Sequence, residues 1–204
     1  MAKVFILLGL LLLPAMSPAQ TFRAAALAGI NLSQIDGDDL LGFHQPGLNA
    51  GLRVVAVLGE HWRVGPELLF TQQGARANAN SQTQSSFGTF RLQMVELPLM
   101  VQYTDWRLTA EAGLAYQRLL SYRITNSGDR DITDDIQLDG DALALHLGVS
   151  LNLTSRLGLN FRWTRQLTDL QAGDGPRFVG RSLSLRAVYA LGTGEALPQT
   201  TEPQ

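Results

Sequence analysis

The side chains able to do chemistry in this chain are few and far apart. Its three histidines are His44, His61 and His146, and it has no cysteine. None of the histidines is followed by Ser two positions on, the spacing that sets a base and a nucleophile on one face of a strand. His146 and Ser150 share a face but stand four residues apart, about 13 Å along a strand, beyond proton-transfer reach. His44 lies near Asp36, Asp38 and Asp39, which approaches an Asp/His protease pair, but there is no Asp-x-His and His44 reads as a loop residue. The absence of cysteine excludes a thiol enzyme, a disulfide scaffold, a cysteine-ligated metal and an iron–sulfur cluster.

Acidic side chains gather in two connections. One carries Asp36, Asp38 and Asp39; the other carries Asp129, Asp131, Asp134 and Asp135, followed by Asp139 and Asp141, against Arg130. Asp-x-Asp spacing suits oxygen ligation of Ca²⁺, but the Gly and terminal Glu of an EF-hand are not in place. These segments read as solvated surface loops, with divalent bridging to lipopolysaccharide phosphates as the sharper alternative. There is no phosphate-cradling glycine loop and no basic aromatic surface for nucleic acid. No cofactor, metal, nucleic-acid partner or enzymatic reaction is expected; an enzyme acting on lipid or peptide is the alternative.

The elements that would position these groups alternate with period two. In 156–168, Leu157, Leu159, Phe161, Trp163 and Leu167 take one face, and Arg156, Asn160, Arg162, Thr164 and Gln166 the other. Eight such segments can be marked, at about 22–34, 45–58, 62–74, 89–103, 106–120, 141–153, 156–168 and 179–192. Each has about 11 residues or more, which at about 45° of tilt rise about 25 Å, the height of an outer-membrane apolar band. Segments two and three meet through Gly59-Glu60-His61, four and five through Thr104-Asp105, and six and seven through Thr154-Ser155. The other connections, 35–44, 75–88, 121–140 and 169–178, are long and polar. Short turns on one side and long loops on the other predict an all-β, eight-stranded antiparallel up-and-down transmembrane β-barrel, with the short turns periplasmic.

A soluble, secreted barrel of lipocalin type has the same period but the opposite faces. The leucine-rich rows are continuous, and Arg53, Arg63, Glu67, Arg91, Glu96, Arg107, Glu111, Arg162 and Arg186 form the polar set. Trp62, Tyr103 and Trp106 flank short turns as an interfacial girdle would. Both features favour leucine toward lipid and charge toward the lumen.

The start of the chain is a targeting segment. Lys3, the single lysine among 16 basic residues, precedes an apolar run at 4–13 that Pro14 ends. Ser17 and Ala19 then supply the small residues of a cleavage site. This predicts a signal peptide at 1–19, a barrel at 20–192 and a Pro/Thr/Gln-rich periplasmic tail at 193–204, disordered by composition. Charged residues are 17% of the chain and the net charge is −2, which excludes a strongly basic nucleic-acid binder.

Gly29 opens GINLSQIDGDDLLGF (29–43), continued by QPGLNAGL (45–52), and Val95-Glu96-Leu97-Pro98-Leu99 follows later. These stretches resemble the PorT-like outer-membrane β-barrel family of Bacteroidota-type bacteria. That family tends to begin with a Gly-x-Asn strand, an acidic loop and a Gly-x-x-x-Gly-Leu second strand, and to carry a Leu-Glu-x-Pro-Leu fourth strand. The resemblance implies an eight-stranded barrel in the outer membrane, in some members linked to secretion or surface-protein maturation. Lipid, lipopolysaccharide and envelope or secretion-system proteins are the expected partners, with oligomeric state open.

Counted from the periplasmic strand ends, Arg53, Glu67, Glu96, Glu111, Arg162 and Arg186 all come to mid-height. The three Glu fall on strands three to five, and the three Arg on strands two, seven and eight. An acidic wall should face a basic wall and pair with it, because an unpaired buried charge is costly. The expected result is a plugged lumen with a structural or interaction role; a small-solute channel is the alternative. Pro66 and Pro98 fall near each other across the pair within strands, where a local bulge or bend is expected, with a break of one strand into two as the alternative.

Overall fold

The computed structural model describes residues 21–36, 45–76, 87–128, 130–135, 138, 140–169 and 179–192. The expected signal segment at 1–19, the expected tail at 193–204, and His44, Asp38, Asp39, Asp129 and Asp139 lie outside the described residues. The strands are β1 (Phe22–Asp36), β2 (Gln45–Val57), β3 (Trp62–Arg76), β4 (Phe87–Asp105), β5 (Leu108–Asn126), β6 (Asp141–Asn152), β7 (Leu157–Gln166) and β8 (Val179–Leu191). Each pairs antiparallel with the next, and β8 returns to β1, so the sheet is a closed barrel with no free edge.

The faces are those of a wall standing in lipid. Leu114 is 60% exposed whereas Arg162 is 1% exposed. Leu68, Leu97, Leu99, Leu143, Leu147, Phe161 and Leu185 also point outward, while Asn49, Glu67, Gln117 and Asn160 are buried inside. At the short-turn end, the Trp62 and Tyr103 rings meet edge-on with centroids 5.0 Å apart. His61 belongs to this girdle: its Nδ1 donates to the Thr104 carbonyl at 2.8 Å and its ring stacks on Tyr103.

Three details differ from expectation. The β4–β5 turn is Trp106-Arg107 rather than Thr104-Asp105, because Asp105 pairs with Leu108. Trp106 takes φ +51°, as the primed turns that match hairpin twist require at their first central position. Arg107 therefore sits in a turn with its guanidinium over the Trp106 ring, at 5.9 Å from the centroid, and not in the lumen.

The prolines are cross-strand neighbours but make no bulge. Pro66 pairs with Leu99, and the same offset resumes at Leu69 with Glu96, so the two missing donors interrupt the ladder without shifting it. The register shifts instead between β4 and β5: Gln93 faces Ser121 and Met94 faces Leu119, leaving Leu120 extra on β5, and a second shift leaves Gly88 extra on β4 between Phe87 and Thr89. The effect of the bulge at Leu120 is to reverse parity: below it the odd residues up to Leu119 face inward, whereas above it Tyr122 and Ile124 turn inward and Arg123 turns outward.

The third difference is the far end of the lumen. Ile35, Ala75, Phe90, Leu92, Met94, Ile124 and Ala142 form an apolar cluster there, with Leu119, Tyr122, Ile132 and Leu138 packed on it. The 121–140 connection is therefore not a plain polar loop. β5 runs on to Asn126, and the chain folds back through a Thr125–Asp131 bridge and a 3₁₀ turn at Thr133–Asp135. Burial of Ile132 and Leu138 gives this return a reason.

Asp131 anchors that turn. The Thr133 hydroxyl donates to it at 2.5 Å and the Thr133 amide at 3.0 Å. These two bonds, with Arg123 beside them, hold the carboxyl below its ordinary value. A lowered pKa stabilises the turn above the ordinary carboxylate range and loses that effect as pH falls through the folded value. Hydrogen exchange should therefore show Thr133 protected through the ordinary carboxylate range and released only below it. Loss of protection already at about pH 6 would assign the turn to other contacts.

Candidate functional site

Five charged residues meet at the centre of the lumen. Arg53 on β2 and Glu67 on β3 are direct cross-strand neighbours, and Arg53 Nε donates to Glu67 Oε1 at 2.7 Å. Arg53 Nη2 also reaches Glu111 Oε2 on β5 at 2.9 Å. Arg162 on β7 closes the set. Its Nη1 donates to Glu67 Oε2 at 2.6 Å, and its Nε and Nη2 to Glu111 Oε1 at 2.8 and 2.5 Å. In an eight-stranded ring β3 and β7 are diametrically opposed, so one guanidinium spans the lumen. Arg186 lies 3.6 Å from Glu111 and 4.0 Å from Glu67, with its Nε bonded to Asn160 at 3.0 Å.

Local sequence makes room for this. Glu111, Gly148 and Arg162 are consecutive cross-strand partners on β5, β6 and β7. A methyl at Gly148 would stand 2.7 Å from Glu111 Oε1 and 2.9 Å from the Phe161 carbonyl. With no side chain there, Glu111 and Arg162 close over the gap. Three guanidiniums against two carboxylates suit a planar fork that serves two acceptors at once. Asn160 and Gln102 fill the remaining acceptor sites on Glu111, at 2.9 and 3.3 Å.

Glu96 belongs to a different tier. Its Oε1 accepts from Gln73 and Gln117, each at 2.8 Å, and no ion pair joins it to an arginine among the described residues. Gln117 in turn accepts from Gln166 at 2.9 Å, and Gln166 from the Gly180 amide at 2.7 Å. His146 links the tiers, with Nδ1 3.4 Å from Arg162 Nη1 and Nε2 3.7 Å from Glu96 Oε2. The expected two-wall pairing of six residues is thus corrected to five, because strand tilt separates Glu96 from the rest. Glu111 faces Gln102, six residues along β4 from Glu96. Equal counts from strand ends do not give equal heights in a sheared barrel.

Arg91, placed in the lumen set by sequence, is exposed on the outer wall. The parity signal for this was present: Arg91 and Glu96 are an odd number of residues apart on one strand. Toward the short-turn end the lumen opens into a vestibule of about 60 Å³ lined by Arg23, Arg53, Arg63 and Arg156, with Gln102, Thr109 and Ser150. Arg63 donates to the Thr104 hydroxyl there.

Among the described residues the acidic loop candidates have separate partners. Asp131 bonds Thr133 and lies 3.5 Å from Arg123, Asp141 bonds Arg118 and Tyr116, each at 2.6 Å, and Asp36 ends β1. Asp134 and Asp135 lie in the 3₁₀ turn. Among the described residues no group of three or more His, Cys, Asp or Glu could hold a metal ion.

A lipid-facing barrel with a polar interior is the architecture of one family whose model matches residues 18–172, described as the outer membrane protein beta-barrel domain. The chain belongs to that family. The protein is thus an outer-membrane barrel, and short turns of such barrels lie on the periplasmic side. Solved structures of similar shape include Ail, the attachment invasion locus protein of Yersinia pestis, in complex with the heparin analogue sucrose octasulfate. Its TM-score is 0.49 at 10% identity, covering 83% of this chain and 99% of that one. Neisserial surface protein A gives 0.49 at 12%, covering 84% and 99%. OprG of Pseudomonas aeruginosa gives 0.37 at 13%, covering 83% and 94%. No curated protein matches the sequence.

Proposed function

We propose that this outer-membrane barrel is closed to solutes and serves the envelope through its extracellular surface, as a structural or interaction protein of PorT-like kind. The observation that carries this is the Arg162 guanidinium bonded across the lumen to Glu67 at 2.6 Å and to Glu111 at 2.5 Å. A small solute would have to break charge-assisted bonds at that level and then pass the apolar cluster above it, each step costly. Lipid, lipopolysaccharide and envelope or secretion-system proteins are its partners, nucleic acid is not, and it carries out no reaction of its own.

Planar-bilayer recordings of the processed protein should show no stable, large, ohmic conductance. A reproducible open channel of that kind would replace this proposal with the small-solute channel. Crosslinking in intact envelopes, repeated with each long connection deleted in turn, then identifies the neighbours. Capture that is unchanged by every deletion would remove the extracellular surface from the role.

A further inference from the structure

Two arginines oppose each other on the outer wall. Arg91 on β4 and Arg123 on β5 are direct cross-strand partners, and both are exposed. Like charges in that position destabilise a sheet, and it is the bulge at Leu120 that turns Arg123 out to face Arg91. Asp131 lies 3.5 Å from Arg123, so among the described residues one carboxylate stands beside two guanidiniums. A groove of about 290 Å³ runs between them, lined by Arg91, Gln93, Ser121, Tyr122 and Arg123. Its polar lining offers two guanidinium forks, the Gln93 amide and the hydroxyl-bearing Ser121 and Tyr122, with no carboxylate among the described residues that line it.

The level of the groove in the membrane selects the anion. Arg91 is twelve residues from Tyr103 along β4. At about 2.3 Å of rise per residue for a 45° tilt, it stands about 28 Å above the periplasmic girdle, just past an apolar band of about 25 Å. The outward row changes character at that height. Tyr103, Val101, Leu99, Leu97 and Val95 give way to Gln93, Arg91 and Thr89. The groove therefore opens where the phosphates of the outer leaflet lie, with the apolar row below it for acyl chains.

We propose that the Arg91–Arg123 groove binds a phosphate of the lipopolysaccharide lipid anchor. Two guanidiniums facing one another match a phosphate by bidentate, charge-assisted bonds, and the bound anion relieves their mutual repulsion. The site goes beyond the closed-barrel proposal and stands whether or not the lumen conducts.

The test uses processed protein from outer membranes, stripped of lipid in detergent. Three probes are compared by native mass spectrometry and thermal unfolding: bis-phosphorylated lipid A, dephosphorylated lipid A, and inorganic phosphate. The wild type should bind only the first, and the double variant Arg91→Gln, Arg123→Gln should lose about tenfold or more in affinity. Arg107→Gln, in the periplasmic turn, should bind as the wild type does. A second variant, Arg91→Glu, places a carboxylate opposite Arg123, so it should unfold at a higher temperature without lipid while binding lipid A at least about tenfold more weakly. This arm stays readable if the double variant fails to fold. Unchanged lipid A binding in the double variant or in Arg91→Glu, or equal binding of dephosphorylated lipid A, overturns the proposal. Equal binding of inorganic phosphate overturns the lipid assignment and leaves a free-anion site.

Discussion

Arg162→Met should lower the unfolding free energy by about 3–5 kcal/mol, the range for removing one partner of a buried ionic cluster. Arg162 makes four hydrogen bonds to Glu67 and Glu111, and the two carboxylates would be left facing each other with Arg53 and the more distant Arg186. Methionine fills the volume but supplies no donor. Arg162→Lys should recover only a minor part of the loss, since a single ammonium cannot serve two carboxylates with a planar fork. Glu96→Gln should cost about 1 kcal/mol or less, because it exchanges one acceptor for another among amides that already donate to Oε1. Denaturant unfolding in detergent micelles measures all three. If Arg162→Met costs no more than Glu96→Gln, the cross-lumen cluster is not what holds the interior together. Planar-bilayer conductance of Arg162→Met should stay small, because the apolar cluster of Phe90, Leu92, Met94 and Ile124 still closes the extracellular end.

Leu114→Arg should destabilise the barrel in lipid by about 2–4 kcal/mol, the cost of a cation near mid-depth on the lipid face. Leu114 sits six residues above Leu108, between Leu99 and Leu145 on the neighbouring strands, and is 60% exposed. The same substitution at the rim, Leu153→Arg in the β6–β7 turn, should cost about 1 kcal/mol or less, since the guanidinium reaches the interface. Folding into phospholipid vesicles reads the difference. Equal effects at the two depths would mean that the outward leucines do not face lipid. A water-soluble, detergent-free monomer of the processed chain would mean the same.

The lumen was legible in the sequence to the extent that it depends on parity within one strand. Arg53, Glu67, Glu111, Arg162 and Arg186 each alternate with leucine, valine, phenylalanine or other outward residues, and a closed eight-stranded wall is narrow enough that long side chains from opposite strands meet. Glu96 has the same parity and the same apparent height, yet it bonds glutamines. Its level is set by how far β4 slides against β5, a quantity that no single strand encodes. Arg91 shows the reverse case. Its odd spacing from Glu96 already put it on the other face, and only grouping it by charge obscured that.

By itself the sequence determined a barrel of eight tilted strands, its lipid-facing rows and its two unlike ends, because side-chain alternation and turn length are local properties of an extended chain. The tertiary structure alone decided which charges touch, that an apolar lid closes the outer end, and that a one-residue bulge swings Arg123 round to meet Arg91. Those outcomes depend on shear and on an extra residue in one ladder, and both exist only once the strands are side by side.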